Sequence, residues 1–212
     1  MRDNMNYCLI SCGPNGENGE GGHCHNDKLS FELCIDGEDV VVDPGTYMYT
    51  SDPENRNKFR STACHNTIMI DGEEQNPIRL DKLFQLKDKT RAKCIKWEIG
   101  ENADVFEGCH YGYTHLKDPI VHYRSMVFDK NTGSLQITDT LDGKGRHKAE
   151  ENLVMSSLKN KTVDLYGDNI NWQKVQAEYS PEYGIFVETK KYKATIRLDG
   201  KTEINFCLKK KQ

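Results

Sequence analysis

Short runs of β-branched and aromatic residues recur along most of the chain, with turn-forming pairs between them, and helical periodicity is almost absent. Each run predicts a strand. The predicted strands are Leu29–Ile35, Val40–Asp43, Thr67–Ile70, Cys94–Ile99, Ile120–Phe128, Ser134–Thr138, Ile170–Val175, Ile185–Glu188, Ala194–Leu198 and Glu203–Leu208. Because so many strands need more than one sheet, we expect an all-β fold: an antiparallel β-sandwich of two or more sheets, in a single domain over residues 1–212.

Turn signals and two irregular segments complete this pattern. Asp-Gly pairs tolerate the positive φ angles of tight turns, so we expect hairpins at Asp36-Gly37, Asp71-Gly72, Asp142-Gly143 and Asp199-Gly200. The Gly-rich segment Ser11–Gly22 predicts a flexible loop without apolar anchors. Ser51–Arg60 is polar and places Pro53 after a capping Ser51 or Asp52, which predicts one or two helical turns.

The charge balance and the lack of long apolar runs narrow the classes of partner. With 29 Lys and Arg residues against 33 Asp and Glu residues, the formal net charge is -4, so no overall positive field is present to hold nucleic acid or an anionic membrane. No apolar run is long enough to span a bilayer, and Met1–Ile10 lacks the apolar stretch of a secretory signal. We expect a soluble protein and leave its localisation open.

Eight cysteines raise the question of disulfide bonds. Their spacing is irregular, and a domain of this length can bury a core without covalent cross-links. We therefore favour free thiols, which are typical of a reducing compartment. The even number of cysteines keeps secretion open as an alternative.

The residue types that carry chemistry concentrate in three segments, GGHCHND (Gly21–Asp27), VVVDPGTY (Val40–Tyr47) and STACHNT (Ser61–Thr67). If the strand and loop ends of these segments converge, two imidazoles and a carboxylate meet at one point. Such a set is a common zinc site with a fourth position open to water or substrate. The candidate ligands are His25, Asp43 and His65.

His23 precedes His25 by two residues, so both side chains would share a face if this segment were a strand. An imidazole beside a metal without ligating it is suited to proton transfer at neutral pH. A competing interpretation joins Cys24 and Cys64 to the two ligand histidines in a closed Cys2His2 structural zinc site. We favour it less, because adjacent Cys-His pairs would strain the tetrahedron.

Other candidate residues are open to two interpretations each. Asp43 begins a sequence, Asp-Pro-Gly, that also describes an ordinary Asx turn. Tyr47 and Tyr49 can line a cleft and stack on sugars, although strands are rich in Tyr for packing reasons alone. Arg56 and Arg60 can bind a carboxylate or sulfate in a bidentate manner, or they are solvated. We take Tyr47 and Arg60 as candidate substrate-binding residues.

The three segments, in their order, resemble the heparinase II/III family of polysaccharide lyases. The resemblance rests on GGHCHNDKLSFEL, VVVDPGTYMYT and FRSTACHNTIMIDGEEQ, and more weakly on HYRSMVFDKNTGSLQITDTLDG. It implies the family's C-terminal β-sandwich without the N-terminal (α/α) toroid. It further implies a divalent metal, with zinc favoured, held by His25, Asp43 and His65, with His23 as a catalytic residue in the cleft and Tyr47 near substrate. Cys24 departs from the family pattern, which has a small residue there.

The resemblance also implies a reaction, β-elimination on uronic-acid-containing polysaccharides of the heparin/heparan or alginate kind. The family draws its catalytic Tyr and its carboxylate-neutralising Asn or His mainly from the toroid. We therefore expect an acidic polysaccharide as partner, and a toroid domain or companion chain that completes a chain unable to turn over substrate alone. The alternative is a non-catalytic sandwich that binds glycans or packs against a partner, with a structural metal. Whether the chain is an enzyme stays open at this point.

Overall fold

The computed structural model describes residues 1–3, 5–17, 20–156 and 163–211, and strands account for most of them. The strands are β1 (Arg2–Asp3), β2 (Asn6–Ile10), β3 (Phe31–Ile35), β4 (Glu38–Val41), β5 (Ile68–Ile70), β6 (Lys93–Ile99), β7 (Ala103–His110), β8 (Ile120–Asp129), β9 (Ser134–Gly143), β10 (Arg146–Val154), β11 (Val163–Gly167), β12 (Trp172–Glu182), β13 (Ile185–Asp199) and β14 (Thr202–Lys210). The helices are α1 (Pro53–Phe59) and a short 3-10 helix (Thr62–Cys64). Within the described ranges, neither helix has the length and apolar character needed to cross a membrane.

The strands form three sheets in which the paired neighbours run antiparallel. The first sheet has the order β1-β2-β3-β4, the second β12-β13-β10-β5, and the third β11-β14-β9-β8-β7-β6. The prediction of an all-β antiparallel sandwich with more than one sheet is confirmed. All eight cysteines are free thiols in this structure.

Strand β8 shows why these residues form strands with one buried face. Its side chains alternate between buried and partly exposed along the whole strand. The buried set contains Ile120, Met126 and Phe128, which join the main hydrophobic core. It also contains His122 and Arg124, so this face of the sheet buries two basic side chains within the apolar layer.

Several strands depart from the predicted ones in extent. The runs Ile185–Glu188 and Ala194–Leu198 belong to one strand, β13, because the polar residues between them pair with β12 on one side and β10 on the other. Strand β10 (RHKAEENLV) was not predicted, since its sequence is rich in charged residues. Tertiary pairing therefore overrides the local polarity of these segments.

The Asp-Gly pairs turn the chain in three of the four predicted places, but only Asp36-Gly37 closes a hairpin between paired strands, β3 and β4. The turn at Asp71-Gly72 closes a single bridge between Ile70 and Glu73. Asp199-Gly200 connects β13 to β14, which lie in different sheets. Asp142-Gly143 forms the end of β9 instead of a turn. The hairpins predicted at Asp142-Gly143 and Asp199-Gly200 are therefore wrong, and at the second a tight turn carries the chain from one sheet to another.

The predicted helical turns are present as α1. The side chain of Asp52 caps the helix by accepting a hydrogen bond from the backbone N–H of Asn55 at 3.1 Å, and Pro53 is its first residue. The helix buries Arg56 and Phe59. It therefore delivers one buried guanidinium to the region of the predicted metal site.

The Gly-rich loop Ser11–Gly22 is anchored by polar contacts rather than apolar ones; its residues 18 and 19 lie outside the described part of the chain. Asn15 is fully buried and its amide donates to the carbonyl of Leu86 at 3.1 Å. The backbone N–H of Leu86 donates in turn to the carbonyl of Glu20 at 3.2 Å. Gly21 has a φ of 53° and packs directly on the Leu86 carbonyl, so a Cβ atom there would clash.

Arg124 lies at the centre of a buried polar network that joins the sheets. Its guanidinium donates to both carboxylate oxygens of Asp139 on β9, at 2.7 and 2.8 Å, and to Glu151 on β10, at 2.9 and 3.0 Å. Its Nη1 donates to the carbonyls of Leu29 and Asn66, each at 2.8 Å. One side chain of the third sheet thus holds the second sheet and both histidine-bearing segments.

The two carboxyl groups around Arg124 have opposite protonation tendencies. Burial alone would raise the pKa of Asp139, but Arg124 and His122 outweigh burial and hold it at about 2. Burial raises the pKa of Glu151 to about 8, and the charge of Asp139 adds to this rise. At neutral pH the network therefore contains one carboxylate and one guanidinium with a protonated Glu151 beside them, which avoids a net buried charge.

We expect Arg124→Met to lower the free energy of unfolding by about 3–5 kcal/mol, because it leaves a buried carboxylate and two backbone carbonyls without their donor. Arg146→Met removes the same charge from an exposed side chain and should change stability by less than about 0.5 kcal/mol. Urea denaturation measures both. Equal losses in the two variants would contradict the role given to Arg124.

Candidate functional site

Three segments from different parts of the chain meet at one point beside the first sheet. His25 lies in the loop before β3, Asp43 follows β4, and His65 follows the 3-10 helix. Their ligand atoms, the ring nitrogens and a carboxylate oxygen, all lie within 4.8 Å of one another. Among the described residues, these three form a group of side chains close enough to hold one metal ion. We call these three residues the triad.

The distances within the triad suit a small cation. Nδ1 of His25 lies 3.1 Å from Nε2 of His65, and the same Nε2 lies 3.7 Å from Oδ2 of Asp43. Four ligands about 2.0–2.1 Å from zinc in a tetrahedron would stand about 3.3 Å apart. The donor set, two imidazoles and one carboxylate, is one that zinc uses, and the two distances from His65 lie close to this spacing.

His65 is held with its free lone pair toward the triad. The side chain is fully buried, and Nδ1 donates to the carbonyl of Ser61 at 2.8 Å. This hydrogen bond places the ring proton on Nδ1 and leaves Nε2 as an acceptor. Such support from a backbone carbonyl is typical of a histidine that binds a metal.

Asp43 both forms an Asx turn and presents a carboxylate oxygen to the triad, the two roles that its sequence left open. Its Oδ1 accepts a hydrogen bond from the backbone N–H of Gly45 at 2.8 Å, which is an Asx turn. Its Oδ2 faces His65. The turn fixes the side chain, and the second oxygen stays available as a ligand.

His25 is the residue of the triad most strongly affected by its surroundings. Burial lowers its pKa well below the ordinary value, and the neighbouring His65 and Arg56 add to this effect, so the ring is neutral at neutral pH. Nη1 of Arg56 donates to its Nε2 at 2.8 Å, which leaves the ring proton on Nδ1, directed at His65. Thr46 Oγ1 lies 3.2 Å from the same Nε2 and can accept a hydrogen bond from it in the tautomer that leaves Nδ1 free as a ligand.

Asn66 fixes the backbone beside the triad. Its amide donates to the carbonyls of Phe31 and Val42, at 2.8 and 2.9 Å, and its Oδ1 accepts from the backbone N–H of Val154 at 2.6 Å. These bonds join the first sheet to β10 next to His65. Sequence patterns do not reveal this role, because Asn66 stands in the motif without any distinguishing spacing.

His23 does not share the environment of His25. Residues 21–26 form a loop, so the condition under which both rings would share one face, a strand in this segment, is not met. The His23 ring is exposed and packs edge-on against Tyr49 and Phe84, with ring centroids 5.4 and 5.6 Å away. An accessible imidazole thus lies in a chain of aromatic rings, separate from the buried triad.

Tyr47 belongs to the same surface. It adopts a φ of 59°, a left-handed conformation, and its ring contacts Phe59 and Phe186 at 5.5 and 5.1 Å between centroids. Its carbonyl accepts from Gly184 in the β12–β13 turn. The partly or fully exposed rings of this surface, which we call the aromatic patch, are His23, Tyr47, Tyr49, Phe84, Tyr183 and Phe186.

Arg60, predicted to bind substrate, has no free donor for this role. The side chain is fully buried, and its Nε and Nη2 donate to Oδ1 of Asn57. The remaining bonds go to backbone carbonyls of the segment 79–85, at 3.2 Å each. The geometry corrects the prediction: Arg60 fixes this segment, including the backbone beside Phe84, instead of facing a ligand.

Arg56 is the charged residue that sequence reasoning did not select. It lies one helical turn before Arg60, is equally buried, and donates to His25. No sequence signal separates the two arginines, since both lie in the same polar helix. The Cys2His2 alternative is not assembled among the described residues, because Cys24 and Cys64 lie outside the triad group and Cys64 lines a different cavity beside Lys191.

Comparisons with known proteins identify the family and the fold. The chain matches the family described as heparinase II/III-like, C-terminal, over residues 1–201. A heparin-sulfate lyase of Pedobacter heparinus is 28% identical over 187 residues, which cover 82% of this chain and 25% of the relative. A heparin-sulfate lyase of Bacteroides stercoris is 27% identical over 113 residues, covering 52% of this chain and 15% of the relative.

Solved structures share the fold at low sequence identity. The heparan sulfate lyase HepC of Pedobacter heparinus superimposes with a TM-score of 0.78 at 18% identity, over 96% of this chain and 32% of its own. A heparinase III structure gives a TM-score of 0.73 at 14% identity, over 96% and 33% of the two chains. The chain thus spans a quarter or less of the two curated relatives and about a third of these structures.

We expect Arg60→Met to lower the free energy of unfolding by at least about 2 kcal/mol, because it leaves several carbonyls of the segment 79–85 without a donor. Arg79→Met, at an exposed side chain of the same segment, is the matched control and should have little effect. Chemical denaturation measures both variants. A stable Arg60→Met protein would show that the buried guanidinium does not hold the segment.

Proposed function

The chain belongs to the heparinase II/III-like C-terminal family, and from this membership we propose that it is the metal-binding β-sandwich of a polysaccharide lyase that acts by β-elimination. The observation that carries the proposal is the triad, two buried histidines and a partly exposed carboxylate at one point, next to an accessible histidine in an aromatic patch. The proposed substrate is an acidic, uronic-acid-containing polysaccharide. The names of the curated relatives favour the heparin or heparan kind over an alginate-like one.

The proposed metal ligands are His25, Asp43 and His65, and zinc is the cation that best suits two imidazoles and one carboxylate. Bound there, a divalent cation would supply positive charge to stabilise developing negative charge on substrate. The protein itself contributes the orientation of the ligands through Ser61, Gly45 and Thr46. The contacts of Ser61 and Gly45 support the proposal because they direct Nε2 of His65 and Oδ2 of Asp43 at one point. His25 would bind through Nδ1 once its ring proton has moved to Nε2, which faces Thr46.

His23 is proposed as the catalytic residue of this domain. In β-elimination a base removes the C5 proton next to the uronate carboxylate, and an acid protonates the departing C4 oxygen. An exposed imidazole can take or give a proton at neutral pH. Tyr47 and the other rings of the aromatic patch offer faces on which sugar rings can stack while His23 reaches the reacting atoms.

Further groups are needed for the complete reaction, and we propose that they come from a toroid domain or a companion chain. The carboxylate must be neutralised and a second proton-transfer group supplied. The chain covers about a third of the similar lyase structures, which leaves room for these groups elsewhere in the whole protein. On this proposal residues 1–212 form one sandwich domain that is catalytically incomplete alone.

A second function has support from one observation, the burial of the two triad histidines. His65 is fully buried and His25 is 9% exposed, as expected of a structural metal site. The chain would then be a glycan-binding or partner-packing sandwich without catalysis. The two functions differ in what His23 does, because only a lyase needs its proton transfer.

Metal content tests the triad directly. We expect about one zinc per chain in the purified wild-type protein and near none in His25→Ala/His65→Ala, because two of three ligands are gone. His115→Ala, at an exposed histidine outside the site, should retain the metal. Elemental analysis by plasma mass spectrometry gives the answer, and equal content in wild type and double variant would reject the proposed ligands.

Activity tests the role of His23 in the longer protein that carries this domain. We expect ultraviolet-absorbing unsaturated uronide from heparan sulfate, and a loss of about 10²–10⁴-fold in kcat for His23→Ala with metal content unchanged. Glycan binding without eliminated product, unaffected by His23→Ala, would instead support the non-catalytic sandwich.

A further inference from the structure

Arg56 has two donors without any partner among the described residues. The side chain is fully buried, and Nη1 donates to His25, yet Nε and Nη2 are buried without a hydrogen bond. The ring of Tyr49 stacks on the guanidinium, with 5.4 Å from its Cζ to the ring centroid. A buried guanidinium with unpaired donors is costly, so its presence indicates a partner from outside the described part of the chain.

Arg60 shows what a satisfied arginine looks like in the same helix. All of its nitrogens donate to Asn57 or to backbone carbonyls. Arg60 and Arg56 therefore differ in the number of donors left over, although both are fully buried. The unpaired Nε and Nη2 atoms are therefore specific to Arg56 and are not shared by the neighbouring buried arginine.

The unpaired atoms define the chemistry of the missing partner. Nε and Nη2 lie on the same edge of a guanidinium, and this edge presents two parallel N–H groups. A carboxylate or a sulfate accepts such a pair in bidentate fashion, whereas a single carbonyl satisfies only one of them. The partner is therefore an anionic group with two oxygens at matching separation.

The acidic residues around the site do not serve as this partner. Asp27 is bound to Lys28 and Ser11, and its pKa is lowered by the Lys28 charge against the effect of burial. Glu74 accepts from Asn26 and Thr62. The positive charge of Arg56 thus remains without a carboxylate in contact with it.

We propose that Arg56 is an anion-binding residue that receives the carboxylate or sulfate group of an acidic saccharide, with the sugar ring on the aromatic patch. The inference rests on the proposed function for its ligand class. Tyr49 is partly exposed and stacks on the guanidinium, so the ligand reaches Arg56 by displacing this ring. The same ring contacts His23, which brings the bound sugar next to the proposed catalytic imidazole.

The test uses sodium sulfate and sodium D-glucuronate as probes, with sodium chloride at equal ionic strength as the reference. Thermal unfolding is followed in EDTA-treated protein, so that no metal contributes to the response. We expect either probe to raise the Tm of the wild type by about 3–5 °C at ten times its dissociation constant. Arg79→Met should show the same rise in Tm as the wild type. In Arg56→Met, the Tm in either probe should equal the Tm in sodium chloride.

The variants separate binding from a structural role. Arg56→Met removes an unpaired buried charge, so we expect its Tm without probes to be equal to or above that of the wild type, whereas a purely structural arginine would lower it. Arg56→Lys keeps the charge but loses the two-donor edge, and its affinity for the probes should be at least tenfold weaker by calorimetry. In the wild type, the Arg56 Nε–H resonance should shift during the same titration, which tests the proposal even if a variant does not fold.

The results of these titrations can be told apart from the results of the metal and activity tests of the proposed function. A response to sulfate alone or to glucuronate alone supports the proposal and identifies the acidic group that binds. No response in the wild type, or an equal response in Arg56→Met, overturns it. Because the metal is removed, an absent zinc site or absent lyase activity would leave a positive result for Arg56 intact.

Discussion

The buried charge of Arg124 is the constraint on which the rest of the structure depends. Its guanidinium cannot be left unpaired in the core, so the chain must bring Asp139, Glu151 and two backbone carbonyls around it. Those carbonyls belong to Leu29 and Asn66, which stand close in sequence to the two histidine ligands. A pairing that closes the sandwich therefore also sets where the triad forms.

The site built on this frame has an uneven distribution of charge. The triad offers a single carboxylate, Asp43, while two buried guanidiniums lie nearby, Arg56 on helix α1 and Arg60 at its C-cap. Burial lowers the pKa of Arg60 to about 10, and the charge of Arg56 adds to this, but both remain cationic at neutral pH. A cation in the triad would add to this positive charge, so the proposed ligand is an anion, and the net charge of -4 on the whole chain does not oppose it.

Much of the fold and the candidate triad can be predicted from the sequence, because both depend on patterns of neighbouring residues. Alternation of apolar residues predicts strands such as β8, and the histidine motifs place three metal-binding side chains in order. What the sequence does not encode locally is the pairing of buried polar groups. It could not separate Arg56 from Arg60, since only the fold decides whether a guanidinium meets carbonyls. It also left open whether His23 lies on a strand, and the structure shows that the loop continues through it.

X-ray absorption at the zinc edge tests the central claim, a cation held by the triad, more directly than any other measurement. In zinc-loaded protein we predict a first shell of nitrogen and oxygen only, at about 2.0–2.2 Å, with the multiple scattering of two imidazoles. His25→Ala/His65→Ala should lose that imidazole signal. Sulfur scattering at about 2.3 Å would contradict the claim, because it would place the metal on cysteines such as Cys24 and Cys64.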